Sequence, residues 1–357
     1  MDFSLSEEQE LLQDTVRSYT ANECPPPRVR EVFDGESGHD ADLWKGLVEM
    51  GLAGLAVPEA HGGAGLGLLD SALVCEVLGA GAVPAPFLGH TLAVLALRLG
   101  GSAPQQERWL PALASGDRLG TVALGEAGGA WAPEEWTLSL QGERADGAKT
   151  RVPAGPEAGL VVVGGAGGAL GLVDASAGGL RWSAEDSLDR GRRLYALELE
   201  EVPIETLAPG TGARVRDAAL VLLAADAFGA GTRLVRMAVD YAQARQQFGQ
   251  PIAAFQAVKH QLANMALDID PTRGLFWYAA HAFDHLPEES ARAAALAKAH
   301  ITDRAMQVAR DAIEIHGGIG MTWECDAQIW FKRALFDRQW AGTPDTHRAR
   351  LADLGGW

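Results

Sequence analysis

Two short segments carry side chains and glycines suited to one kind of chemistry, the holding of a phosphate-bearing ligand. In Ala244-Arg245-Gln246-Gln247-Phe248-Gly249-Gln250-Pro251-Ile252, Arg245 offers a planar guanidinium that grips phosphate through paired hydrogen bonds, with Phe248 beside it as an aromatic face. In Glu314-Ile315-His316-Gly317-Gly318-Ile319-Gly320, consecutive glycines let backbone N–H groups turn toward an anion and let a diphosphate approach closely. Each segment also has a purely structural reading. An arginine in the last helical turn offsets the negative end of the helix dipole, Gly-Gly after a helix is a common cap, and His316 alone reads as a packed helix-end residue.

The elements that must position these segments are legible from periodicity. The stretch from Asp217 to about Ala244 is Ala-rich, free of proline, and broken by Gly249-Gln250-Pro251. Phe255, Val258, Leu262, Met265 and Ile269 recur at helical spacing as a buried seam, and Ala291–Ile315 predicts a further long helix stopped by Gly317-Gly318. Upstream, Ser6-Glu7-Glu8-Gln9 is a capping box before a helix carrying Leu12, Val16 and Tyr19, which Cys24-Pro25-Pro26-Pro27 ends. Leu43–Met50, Leu68–Leu78 and Thr91–Leu99 predict more helices. Between them lie β-type runs, Gly120–Leu124, Trp136–Leu140, Leu160–Val163, Leu170–Val173 and Leu194–Leu199, spaced as in a small antiparallel barrel or sandwich. The expected chain is mostly α with a central β domain: helical over residues 1–115, β over 116–207 and helical again over 208–357.

Composition narrows the function. Thirty Lys and Arg against 47 Asp and Glu give a net charge of −17 over 357 residues. All of it falls in the first 205 residues, with 14 basic against 31 acidic, while residues 206–357 hold 16 of each. No basic field exists for nucleic acid, and an anionic ligand is least repelled by the C-terminal part. No apolar run suggests a membrane span, and the acidic N-terminus lacks the layout of a signal peptide. Cys24, Cys75 and Cys325 are few and scattered, which argues against a disulfide framework or a metal site and for a cytoplasmic protein.

Taken in their order and spacing, four stretches resemble the acyl-CoA dehydrogenase family: MDFSLSEEQELL, Gly51-Leu52-Ala53-Gly54-Leu55-Ala56-Val57-Pro58 with the following HGGAG, ARQQFGQPIAAFQ and AIEIHGGIGMTWECD. They span nearly the whole chain, and the last two are quite specific. The resemblance implies an N-terminal helical domain, a middle β-barrel and a C-terminal four-helix bundle. It implies FAD as cofactor and an acyl-CoA thioester as substrate, as in the β-oxidation of fatty acids or steroid side chains. A carboxylate removes the α-proton, hydride passes to the flavin, and electrons leave through an electron-transfer flavoprotein. By the same resemblance Arg245, Phe248, Gln256, Glu314, Gly317, Gly318 and Thr343 fall at cofactor-binding positions, with Arg245, Phe248, Gln256, Gly317 and Gly318 reaching across an interface to the FAD of a neighbouring subunit, so that the chain is expected to oligomerise.

The departures are as informative. Glu314 stands where the family usually has Gln, and the flavin-contacting stretches read Gly125-Glu126-Ala127-Gly128-Gly129-Ala130-Trp131 and Val152-Pro153-Ala154-Gly155, without the usual hydroxyls and aromatic wall. The two family stations for the base hold Ala341, in Trp340-Ala341-Gly342-Thr343, and Ala219, and alanine accepts no proton. Three readings remain: a subunit of a heterotetramer whose sister chain carries the base, as in the shorter chains of heteromeric relatives acting on bulky substrates; a stand-alone enzyme with its base moved to Glu126, Glu324, Asp337 or Asp345; and a binding or scaffold protein on the same fold.

Overall fold

In the computed structural model, which describes residues 4–140 and 143–356, six helices come first: α1 (Glu7–Glu23), α2 (Pro26–Asp34), α3 (Ala41–Glu49), α4 (Leu68–Ala80), α5 (Phe87–Gly100) and α6 (Ala103–Ala114). The capping box forms as expected, with the Gln9 backbone N–H donating to Ser6 Oγ and the Ser6 N–H to Gln9 Oε1. The proline run does more than stop α1. It starts α2, since proline at the first helical positions gives up only an N–H that has no partner there. Nearly all of α4 is buried, the polar Asp70, Ser71 and Glu76 among its otherwise apolar residues.

Seven strands follow: β1 (Gly120–Ala123), β2 (Arg144–Pro153), β3 (Leu160–Gly165), β4 (Ala169–Asp174), β5 (Leu180–Glu185), β6 (Leu194–Pro203) and β7 (Glu205–Thr206). They form one sheet in the order β1-β3-β4-β7 and another in the order β2-β6-β5, with a shared core that includes Val161, Val163, Leu197 and Val202. One pairing departs from the antiparallel expectation, β1 running parallel to β3. The expected run Trp136–Leu140 is not a strand. Its backbone is satisfied elsewhere: the N–H groups of Thr137 and Leu138 donate to the Glu126 carboxylate, and the Leu138 carbonyl accepts from Ala166. In the other direction, β2 is a strand despite its polar sequence: it ladders with β6, and its Lys149 is buried against the Glu126 carboxylate.

The C-terminal part is a bundle of α7 (Thr211–Ala244), α8 (Gln256–Ile269), α9 (Arg273–His285), α10 (Pro287–His316) and α11 (Ala327–Gln339), closed by α12 (Pro344–Leu354). By length and composition α7 would cross a membrane, yet its apolar stretch is 83% buried inside the protein, mainly against α4 and α10. Two glycines permit that packing: a Cβ on Gly79 would lie 2.1 Å from the Asp226 carbonyl oxygen, and one on Gly229 would lie 1.9 Å from that of Glu76. Between α7 and α8 the chain makes a tight hairpin of β8 (Gln246–Gln247) and β9 (Gln250–Pro251). Its two turn residues, Phe248 and Gly249, have φ of 52° and 77°, the left-handed pair that two-residue hairpins require.

Candidate functional site

The C-terminal ends of α7 and α10 lie side by side because Tyr241 stacks on His316 with ring centroids 4.4 Å apart. The His316 ring also hydrogen-bonds the Ala312 carbonyl at 2.7 Å, so it is a packed helix-end residue. Arg245 follows Tyr241 by four residues and Gly317 follows His316 directly, so the stack brings the two candidate segments to one end of the bundle. Arg245 is exposed, and its guanidinium has no carboxylate partner among the described residues. Phe248 at the hairpin tip is 92% exposed and meets Phe255 edge-on at 6.0 Å. Gly317 has φ of 64°, and a Cβ on either Gly317 or Gly318 would meet nothing within 4 Å, so the backbone there faces open space. Gln256 is the exposed first residue of α8. Glu314 is exposed as well, and it is occupied: Gln261 on α8 donates to its Oε2 at 3.1 Å.

Thr343 is placed elsewhere. It caps α12, and it lines a cavity of about 510 Å³ between the β domain and α11, together with Gly128, Gly129, Trp131, Arg151 and Trp340. Trp131 packs on Trp340 with centroids 5.1 Å apart, Arg151 lies over Trp131 at 5.9 Å, and the Trp340 indole N–H donates to the Arg151 carbonyl at 2.9 Å.

Ala341 and Ala219 are both buried. In α7, which carries Ala219, and α11, which precedes Ala341, spacing in the chain gave no sign of what the fold assembles, a buried ion network. Arg192 from the β5–β6 loop pairs with Asp226 of α7 and, at 2.8 Å, with Asp337 of α11. Arg333 pairs with Asp189 at 3.1 Å and donates to the Val83 carbonyl at 2.9 Å. Lys298 donates to the carbonyls of Asp337 and Trp340, and burial pulls its pKa down to about 7. Beneath the turn, His347 donates from Nε2 to the Ala341 carbonyl at 2.9 Å, and burial, with Lys298 next, pushes its pKa down to about 3.

None of the four carboxylates named as alternative bases stands ready for proton abstraction. Burial raises the pKa of Glu126, but Lys149 at 2.5 Å and the Thr137 hydrogen bonds outweigh it and hold it below the ordinary value. Burial, then the neighbouring Asp226, raises the pKa of Asp337, and its carboxyl group is held by Arg192 at 2.8 Å in the interior. Asp345 pairs with Arg348 at 2.7 Å on the surface. Glu324 is exposed, its pKa lowered first by Thr322.

The models of the acyl-CoA dehydrogenase N-terminal and C-terminal domains match residues 6–117 and 219–354. The chain belongs to the acyl-CoA dehydrogenase family. Acyl-CoA dehydrogenase IpdE2 of Mycobacterium tuberculosis is 36% identical over 351 residues, covering 97% of this chain and 96% of the relative. Among solved structures, the Tcur3481-Tcur3483 steroid ACAD superposes with a TM-score of 0.92 at 33% identity, covering 99% of each chain. The ChsE4-ChsE5 complex of Mycobacterium tuberculosis superposes with a TM-score of 0.90 at 27% identity, covering 100% of this chain and 99% of the other.

Members of the acyl-CoA dehydrogenase family are FAD-dependent. The residues of this member suit one half of that cofactor and not the other. An unpaired guanidinium and two glycines with open backbone suit a diphosphate. For the flavin ring, Val152-Pro153-Ala154-Gly155 offers neither an aromatic wall nor a hydroxyl, and the aromatic faces of Trp131 and Trp340 are spent on each other and on Arg151.

Proposed function

We propose that this chain is the base-lacking subunit of a heteromeric acyl-CoA dehydrogenase, working in the cytoplasm on an α,β-dehydrogenation of an acyl-CoA thioester. Its part is to complete the cofactor site of a sister subunit. Arg245 neutralises a diphosphate, the Gly317 and Gly318 N–H groups take up its oxygens, Phe248 and Gln256 border the nucleotide side, and Glu314 stays turned to Gln261. FAD, when bound, supplies the hydride acceptor, and an electron-transfer flavoprotein takes the electrons on. The sister subunit supplies the carboxylate base and the flavin pocket.

One observation carries this reading. The same chain combines an open, uncompensated anion cradle with two buried alanines where its family keeps the base. The two-membered names of the ChsE4-ChsE5 complex and the Tcur3481-Tcur3483 steroid ACAD support it, and the steroid in the latter title favours a bulky acyl group. A relocated base is less well supported, since Glu126, Asp337 and Asp345 are committed to cations and Glu324 lies on the surface.

Purification tests the proposal. Expressed alone, the chain is expected to be colourless; co-expressed with a base-bearing sister, the complex is expected to be yellow and to bleach with acyl-CoA. A yellow homo-oligomer reduced by acyl-CoA on its own would overturn it, and a colourless chain indifferent to any sister would leave a binding protein on the same fold. In the isolated chain Ala341→Glu is expected to confer no dehydrogenation, because the new carboxylate would face no flavin; a gain of activity would show that this chain's own site is intact.

A further inference from the structure

A second concave surface shares no residue with the cofactor cradle. It is a groove of about 710 Å³ between the N-terminal helices and the bundle, walled by α1, α4, α7, α9, α11 and the Pro25-Pro26 turn. Four arginines line it, Arg17, Arg233, Arg236 and Arg273, in a chain whose net charge is −17. We propose that this groove binds a phosphorylated small molecule, gripping its diphosphate group between the Arg233–Arg236 face of α7 and the guanidinium groups of Arg17 and Arg273.

The charges there do not cancel. Arg17 pairs with Asp14 at 2.5 Å, and Arg273 pairs with the buried Glu76 at 3.2 Å. Arg236 is exposed with no partner among the described residues. Arg233 lies over the Trp330 ring at 5.2 Å, and its Nε–H is buried without an acceptor. An orphaned buried donor on a cation beside a free guanidinium one turn away calls for an anion. Arg273 uses one nitrogen on Glu76 and rests over Phe228 at 4.9 Å, which leaves donors of its fork unspent.

The floor is rigid. The Trp330 indole N–H is shared by the carbonyls of Gly79 and Ala80, at 3.2 and 3.0 Å, and the glycine-mediated contact of α4 with α7 runs directly beneath. The volume is that of a ligand pocket, and walls from five helices and a turn suit a small molecule better than a flat protein face. Trp330, the one aromatic ring lining this groove among the described residues, is already covered by Arg233 and offers no face to a base. Recognition therefore runs through phosphate, and a nucleotide should bind no better than its diphosphate alone.

Titration calorimetry of the full chain with inorganic pyrophosphate and with ADP tests this. Saturable binding of both at a site that survives Arg245→Ala is expected, with similar affinity for the two, weakened by added salt and weakened at least about tenfold by Arg236→Glu. Arg236 is exposed and makes no ion pair among the described residues, so that variant should melt with the wild type. Arg245→Ala should leave the binding as it is. The proposal falls if pyrophosphate does not bind, if Arg236→Glu binds it undiminished, or if Arg245→Ala abolishes binding, which would put the ligand in the cofactor cradle. It falls equally if polyglutamate binds in an Arg236-dependent way and pyrophosphate does not, since the groove would then be a protein-docking surface.

Discussion

At the C-terminal end of α7, Arg245 and the hairpin tip stand in solvent beside two glycines with open backbone, and the cation there has no ion-pair partner among the described residues. Some five helical turns earlier, around Asp226, the same helix is sealed: the charges of Arg192, Asp226, Asp337, Arg333 and Asp189 pair with one another in the interior, although Asp226 Oδ1 and Asp337 Oδ2 accept no hydrogen bond. The difference is between a charge left unpaired and charges that are paired. A buried charge must be compensated within the fold, or its desolvation goes unrepaid, whereas an exposed one can wait for a ligand at little cost. The exposed end keeps its cation available, as the proposed cofactor role requires, and the interior pairs tie the β5–β6 loop to α7 and α11.

If the interior network is structural, breaking it should be the most damaging change. Arg192→Leu leaves Asp226 and Asp337 buried without their shared cation and is expected to cost about 3–5 kcal/mol in denaturant unfolding, with no gain of chemistry. A variant that unfolded like the wild type would mean that the network does not hold α7 to α11.

Acid should expose the same weakness. The folded-state pKa of His347 is about 3, below the ordinary 6.5. Between those values the unfolded chain binds the extra proton, so stability falls as the pH drops from 6.5 toward 3. His347→Gln is expected to lose about 2–4 kcal/mol less than the wild type over that window in unfolding titrations. Equal acid sensitivity would show that the imidazole beneath the Ala341 turn is not kept neutral by its surroundings.

The exposed end should answer differently. Arg245→Ala is expected to leave stability within about 0.5 kcal/mol. In the co-expressed complex it should weaken FAD retention by about tenfold to a hundredfold, the loss of one charge-assisted phosphate contact. Unchanged FAD content would break the comparison, since the cation would then have no ligand to wait for. The smallest effect is that of Phe248→Ser, which removes a ring that is 92% exposed and should change unfolding by less than about 0.5 kcal/mol. A larger loss would mark Phe248 as structural.

What could be read along the chain and what could not divides by distance in sequence. The Ser6–Gln9 capping box, the stop at Gly317 and the break after Ala244 were legible, because each depends on neighbours within one helical turn. Trp136–Leu140 misled because its apolar alternation suited a strand, while its backbone N–H groups went to Glu126, ten or more residues back. β2 was missed for the opposite reason: Lys149 looks like a surface residue until Glu126 and the ring of Trp136 close over it.

By itself, then, the amino-acid order determined most of the helices, the family, the guanidinium and paired glycines of the Arg245 and Gly317-Gly318 segments, and the absence of a carboxylate at 219 and 341. Only the tertiary structure decided which charges were spent. Asp189, Arg192, Asp226, Arg333 and Asp337 come from three elements and nearly 150 positions of chain, and no local pattern marks them as one network. Burial and pairing are properties of the space between elements, and that space exists only once the helices have packed.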